Sequence, residues 1–173
     1  MKIHLLNDIF SAVIIGFCFI SVGVFANTDV EFDGTLIADP CVITTDTAEQ
    51  IVDFRNVPSK TFIKHNRTAP ESFSFHLTEC DLSLGQTVKV TFFGNEDDAQ
   101  PGNFAVAGDA KGIAIALENA DGEAIKPDQV LSPIALSEGD TLLKYKAYIQ
   151  ATDFSKVTEG DFLSHVTFSL EYE

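Results

Sequence analysis

The residues best suited to chemistry are His65, His76 and His165, but their surroundings do not point to catalysis. His76 and His165 fall on the polar side of alternating stretches, where exposed side chains are expected. The chain contains no Gly-x-Ser-x-Gly turn and no His-x-x-x-His pair, patterns that hydrolases and zinc enzymes use. The sequence therefore argues against an enzyme and predicts neither a cofactor nor a catalytic residue.

The stretch "GNEDDAQPGN" concentrates three carboxylates, Glu96, Asp97 and Asp98, which raises the question of a metal site. A calcium loop places oxygen ligands at alternating positions around a turn glycine and ends in a bidentate acid. That spacing is absent here, so we interpret the stretch as a solvated acidic loop and predict no metal.

Two cysteines, Cys41 and Cys80, follow the N-terminal apolar region. In an exported chain, two cysteines predict one disulfide, and the alternative is a pair of buried free thiols. The bridge would close a loop of about 40 residues and stabilise the fold by roughly 3–4 kcal/mol.

Residues 1–26 have the features of a secretory signal peptide. Lys2 precedes a long apolar run, and Val24 and Ala26 are small residues suited to cleavage after Ala26. An uncleaved membrane anchor is the alternative, because the run is about long enough to span a bilayer. A lipoprotein linked through Cys18 fits less well, because the bulky Phe17 precedes that cysteine.

The composition predicts a single, β-rich domain without nucleic-acid partners. The chain has 173 residues, 45% of them hydrophobic, which is enough for one core. Fifteen phenylalanines, together with many Val, Ile and Thr residues, favour strands. A formal net charge of −15 repels phosphate backbones and keeps an exported protein soluble.

Alternation of apolar and polar residues recurs along the chain and predicts several short strands. The stretches are "SFSFHL", "TVKVTFF", "GIAIALE", "TLLKYKAYIQAT" and "HVTFSLEYE". Turn signals such as "ADGEA", "SEGD" and "TEGD" separate them, and no strong helix is predicted after residue 26. Short strands at intervals of about ten residues predict an all-β sandwich.

The last of these strands presents an edge problem. This strand is strongly amphipathic, and one of its edges would stay unpaired. Exposed apolar edges invite association. Addition of a strand from a partner is one solution to this problem. A second alternating segment, "NTDVEFDGTLIADPC", follows residue 26 and carries a glycine within its apolar row.

These segments, taken in order, resemble the pilin subunits of chaperone–usher fimbriae. The sequence around both cysteines and the stretch "NADGEAIKP" are most similar to the tip adaptor subunits of P pili. The segments that carry the resemblance are "VEFDGTLIADPC", "IVDFRNVP" (similar to a second-strand motif), "FSFHLTEC", "VKVTFFGNEDDAQPGNFAV", "GIAIALENADGEAIKP" and "GDFLSHVTFSLEYE".

The resemblance implies an incomplete immunoglobulin-like Greek-key sandwich that lacks its final strand. It implies an N-terminal donor-strand extension over residues 27–38 and a pilin domain over residues 39–173. A periplasmic chaperone would fill the groove left by the missing strand. An outer-membrane usher would then exchange the chaperone for the extension of an adjacent subunit, without covalent chemistry. The family's disulfide corresponds to Cys41–Cys80.

Roles for individual residues follow from the resemblance and from the alternation together. The donor row consists of Val30, Phe32, Gly34 and Leu36, whose positions share one side of an extended segment. The acceptor groove, which also binds the chaperone, is expected along Val166, Phe168, Leu170 and Tyr172. The resemblance further implies that the C-terminal carboxylate of Glu173 anchors basic chaperone residues.

The resulting hypothesis is a structural minor or adaptor subunit that polymerises by donor-strand exchange and supports cell adhesion. Such a protein is exported through the periplasm to a fimbria on the cell surface. The alternatives are a pilus-terminating subunit and a carbohydrate-binding adhesin. The adhesin fits less well, because the chain has room for one domain only and carries its own donor extension.

Overall fold

The computed structural model describes residues 30–36 and 38–173, and the chain separates into one unit ending at Leu36 and another beginning at Ile37. The predicted signal peptide and its cleavage site lie outside the described residues. Residues 30–36 form no strand and are exposed throughout. The predicted extended strand is therefore absent from the isolated chain, which is expected for a segment without a ladder partner.

The second unit is built almost entirely from strands, as the alternation predicted. Three sheets are present among the described residues: five strands in the order β1-β2-β8-β5-β6, three in the order β10-β3-β7, and the pair β4-β9. The strands are β1 (Val42–Ile43), β2 (Glu71–Cys80), β3 (Thr87–Phe93), β4 (Ala107–Gly108), β5 (Ala114–Asn119), β6 (Ala124–Ile125), β7 (Ile134–Ala135), β8 (Gly139–Gln150), β9 (Phe162–Leu163) and β10 (Thr167–Tyr172).

The helical content is small. α1 (Thr45–Ala48) and α2 (Thr61–Lys64) are single turns, and a 3-10 turn covers Phe154–Lys156. None was predicted, because four residues are too few to show a helical periodicity.

The longest ladder, between β2 and β8, sets the centre of the core. Phe73 lies opposite Tyr145 and Phe75 lies opposite Leu143 in an antiparallel register. The ring of Phe92 in β3 packs against Tyr145 with 5.0 Å between the ring centroids, joining the two larger sheets. The inward row predicted for the long strand is buried, at Leu143, Tyr145, Ala147 and Ile149.

The acidic loop that follows β3 is held by its own carboxylates. The Asp97 carboxylate accepts hydrogen bonds from the backbone N–H groups of Ala99 (3.0 Å) and Gln100 (2.8 Å). The Glu96 carboxylate accepts from the Gly102 N–H at 2.5 Å. These carboxylates thus stabilise a turn, and among the described residues no cluster of His, Cys, Asp and Glu could hold a metal ion.

The stretch "IVDFRNVP", which resembles a second-strand motif, forms no strand in this structure. Residues 51–58 belong to no strand, although Val52, Phe54 and Val57 are half-buried in an extended segment. Arg55 interrupts the segment with a positive φ of 54°. The apolar pattern was recognised correctly, but a strand also requires a hydrogen-bonded neighbour, and this segment has none in the isolated chain.

Candidate subunit-binding groove

β10 is an edge strand whose apolar side lies over the core. It pairs with β3 through six successive residue pairs, from Thr167 opposite Phe93 to Tyr172 opposite Val88. Its other edge pairs with no strand in the described part of the chain. One row of main-chain donors and acceptors is therefore available to a further strand.

Alternation along β10 determines which side chains face the uncovered edge of the core. Val166, Phe168, Leu170 and Tyr172, the four apolar residues predicted for the groove, are half-buried and contact the core. The intervening residues Thr167, Ser169 and Glu171 are exposed. The apolar row is thus covered on the core side only.

A cleft of about 540 Å³ opens beside the beginning of β10. Its lining includes Val166 and Phe168, together with residues between Ile43 and Phe54. Phe75 and Phe92 lie at its base, and the ring of Phe168 stacks on that of Phe75 at 4.0 Å between centroids. An apolar side chain entering the cleft would contact the aromatic core directly.

The far end of β10 is fastened by contacts that the sequence reasoning missed. The Glu173 carbonyl oxygen accepts hydrogen bonds from the backbone N–H groups of Gln86 (2.7 Å) and Thr87 (2.9 Å). The Lys89 ammonium donates to the side-chain carboxylate of Glu173, and this hydrogen bond raises the pKa of Lys89. The sequence carries no local signal for this contact. It follows from the register of β10 against β3, which brings Lys89 within reach of Glu173.

Tyr172 combines a half-buried ring with an unusual hydroxyl. Its oxygen is buried and has no hydrogen-bond partner among the described residues. Burial, and to a lesser extent the nearby Asp39 carboxylate, raises the pKa of Tyr172. Asp39 therefore lies near the end of the apolar row, at the point where the second unit begins.

The predicted donor residues are accessible in the isolated chain. The exposed fractions are 67% for Val30, 92% for Phe32 and 100% for Leu36. A Cβ atom added to Gly34 would meet no other atom within 4 Å. The described chain itself thus places no packing demand on a glycine at this position, and its role in donation stays a prediction.

Cys41 and Cys80 form a disulfide whose Cα atoms lie 4.1 Å apart. Cys41 immediately precedes β1 and Cys80 ends β2, and both are buried. The Asp81 N–H donates to the Pro40 carbonyl at 2.8 Å, reinforcing the same junction. The bridge ties the start of the second unit to its longest ladder.

The remaining residues considered for chemistry do not converge. His65, His76 and His165 are all exposed. His76 lies 3.6 Å from the Asp140 carboxylate on the surface. Across residues 30–36 and 38–173, no helix is long and apolar enough to cross a membrane.

Comparison with known proteins shows to which family the chain belongs. The family model "Fimbrial protein" matches residues 30–173. The chain belongs to the fimbrial protein family. It is 32% identical to the Fimbria A protein of Serratia marcescens over 83% of both chains. It is also 32% identical to the fimbrial adapter PapK of Escherichia coli, over 90% of this chain and 94% of that one.

Solved structures agree with the fold. The P pilus rod subunit PapA superposes with a TM-score of 0.70 at 23% identity, covering 78% of this chain and all of that one. A subunit from a chaperone–usher pilus gives a TM-score of 0.70 at 26% identity, covering 85% of this chain and 96% of that one. The immunoglobulin-like, all-β pilin fold is therefore confirmed.

Family membership confirms the broad prediction of a chaperone–usher fimbrial subunit located in a surface pilus. Proteins of this family are structural subunits, not enzymes. Fimbria A and the adapter PapK are matched at the same identity.

Proposed function

We propose that this protein is a minor or adaptor subunit that joins two different neighbours in a fimbria by donor-strand exchange. The observation that carries the proposal is the unpaired edge of β10. The half-buried apolar row of this strand lies beside a cleft that is lined by several phenylalanine rings. The exposed alternating residues Val30, Phe32 and Leu36 of the extension supply the complementary part. Each subunit would thus accept one strand and donate another.

The energetics favour insertion of an extended segment at this edge. A strand beside β10 would form main-chain hydrogen bonds along its length, and its apolar side chains would cover the half-buried row. Burying Val30, Phe32 or Leu36 in such a groove contributes about 1.5–3 kcal/mol each. Binding at Gly34 would bring the two backbones close together, because this position adds no side chain.

A periplasmic chaperone would occupy the same groove before assembly, and the outer-membrane usher would catalyse the exchange. Glu173 lies at the end of the groove row, and its C-terminal carboxylate is the proposed anchor for basic chaperone groups. The adaptor role is supported by similarity to PapK and to the putative minor fimbrial subunit PmfF of Proteus mirabilis, which is 26% identical over 96% of this chain.

The decisive experiment compares the chain produced alone with the chain produced together with its cognate chaperone. We expect aggregation or degradation of the chain alone and a soluble one-to-one complex with the chaperone. Leu170→Asp, on the groove side, should abolish the complex, whereas the control Ser169→Asp, on the exposed side of the same strand, should preserve it.

A different result would reject the proposal. A chain lacking residues 27–38 that is a stable monomer without chaperone, and that takes up no donor peptide, would contradict it. A terminator would accept a donor strand but fail to donate its own extension to any subunit. Glycan binding by the isolated domain would instead indicate an adhesin.

A further inference from the structure

The charges around the groove carry information about which neighbour can occupy it. The cleft lining itself is uncharged, and it includes residues of the segment from Ile43 to Phe54 and of the strand β10 with the residues before it. Residues 38–54 and 161–173 contain no lysine or arginine. Their acidic residues are Asp39, Asp46, Glu49, Asp53, Asp161, Glu171 and Glu173.

A nearby cation does not offset this excess of negative charge. Lys89 of β3 lies opposite Glu171 in the ladder, and its ammonium binds the carboxylate of Glu173. Its single charge is thus shared between two carboxylates, and the pair with Glu173 withdraws it from other partners. The exposed side of the β10 edge stays acidic.

The extension of this chain has the same sign of charge on its polar side. Residues 27–38 contain Asp29, Glu31 and Asp33 and no lysine or arginine. When the apolar row of an extended segment faces the groove, the intervening positions face outward, next to Ser169 and Glu171. This holds for either direction of the inserted strand, because side chains alternate in both.

Neighbouring strands lie about 4.8 Å apart, well within the screening length of about 8 Å at physiological salt. Like charges facing each other across two strands are destabilising. Insertion of this extension into the groove of a second copy would bring Glu31 and Asp33 into an acidic environment. Self-assembly is therefore opposed by electrostatics, although the apolar rows match.

We propose that the groove selects a donor segment from a different subunit, one whose outward-facing residues are basic or uncharged, and rejects the acidic extension of its own kind. This inference rests on the proposed function, since it assumes that β10 accepts a donor strand. It gives the subunit a fixed place between two unlike neighbours, because a chain that rejects its own extension cannot form a run of identical copies.

The test measures how fast donor peptides displace the chaperone from its complex with the full chain. The first peptide has the sequence of residues 27–38, and the second carries Glu31→Lys and Asp33→Lys. At about 50 mM salt we expect the basic peptide to insert about tenfold faster, because attraction replaces repulsion at two positions. At about 1 M salt the difference should shrink below about threefold.

A variant of the accepting strand β10 tests whether Glu171 causes the difference in insertion rate between the two peptides. Glu171→Gln in the full chain should speed insertion of the unmodified peptide and narrow the gap between the two peptides. Asp121→Asn, an equal change of charge at the β5–β6 turn, should leave both rates unchanged.

Two failures are distinguishable in this experiment. If neither peptide displaces the chaperone at any salt concentration, the proposed function itself is wrong. If both peptides insert at the same rate at low salt, donor-strand exchange stands and selection by charge is wrong.

Discussion

At the scale of single residues, Tyr145 is the most unusual side chain in the core. It is 2% exposed and packs among Phe73, Phe75 and Phe92, but its hydroxyl has no partner among the described residues. Burial raises its pKa from 10.0 to about 12. A buried hydroxyl without a hydrogen bond costs about 1–3 kcal/mol.

Tyr145→Phe is therefore expected to leave the free energy of unfolding unchanged or to raise it by about 1 kcal/mol at neutral pH. The tyrosine is neutral in both states below pH 10, and the unfolded state ionises first as the pH rises. Stability should thus fall between pH 10 and 12 in the native chain, by about 2 kcal/mol, and the variant should lose much less.

Denaturant unfolding of the donor-complemented chain at several pH values measures this effect. Tyr148→Phe is the control, because Tyr148 lies in the same strand and its ring packs under the Arg67 guanidinium at 4.7 Å. An alkaline loss of equal size in the native chain and in Tyr145→Phe would contradict the assignment.

Gly34 bears on the proposed donor function and not on the packing of the described chain. The described chain offers a side chain at this position free space, so Gly34→Leu should not disturb folding with the chaperone. In a neighbour's groove the added side chain would hold the two backbones apart, and we expect insertion to slow by at least about tenfold, a cost of about 1.4 kcal/mol or more in the barrier. Peptide exchange into a neighbouring subunit measures this rate, with Thr35→Val, on the outward side, as the control. An unchanged rate for Gly34→Leu would make the glycine irrelevant to donation.

At the scale of elements, the disulfide stabilises the start of the second unit against unfolding. Replacing both Cys41 and Cys80 by serine frees a loop spanning 39 residues and should lower the free energy of unfolding by about 4 kcal/mol in the loop-entropy model. Urea unfolding of chaperone-free, donor-complemented protein checks the value. A loss below about 1 kcal/mol would show that the β1–β2 ladder holds this junction without the bridge.

The long strands were predictable because their alternation extends over six or more residues. The predicted stretches "TVKVTFF" and "SFSFHL" correspond to β3 and to most of β2. The two-residue strands β1, β4, β6, β7 and β9 were not identified, because two residues cannot display a period of two. The apolar row on β10 was also identified, since every second residue from Val166 to Tyr172 is apolar.

Features that depend on tertiary register could not be predicted from the sequence. The contact between Lys89 and Glu173 joins residues far apart in the chain and follows only from the alignment of β10 with β3. The absence of a strand at residues 51–58 depends on a missing neighbour, which local pattern cannot reveal. The acidic character of the two segments that contribute to the groove likewise became relevant only once the fold showed which segments line it.

At the scale of the whole molecule, donating and accepting are assigned to different parts of the chain. The described extension residues 30–36 are exposed, and the strands, the disulfide and the cleft all belong to the unit that begins at Ile37. Under the proposed function, fibre growth needs both parts, whereas folding of the second unit needs only an occupied groove. The two functions should therefore be separable by deletion.

Deleting residues 27–36 tests this separation. We expect the shortened chain to bind the chaperone and to take up a basic donor peptide at the rate of the full chain, within about twofold, because the deletion removes no groove residue. Its complemented form should unfold with a free energy within about 0.5 kcal/mol of the full chain, as is usual for changes at exposed sites. It should fail to displace the chaperone from the neighbouring subunit, so that a fibre stops where it is incorporated. Electron microscopy of fibre length, with peptide uptake as the matched control, separates these effects, since a loss of uptake would mean that the extension also supports the acceptor fold.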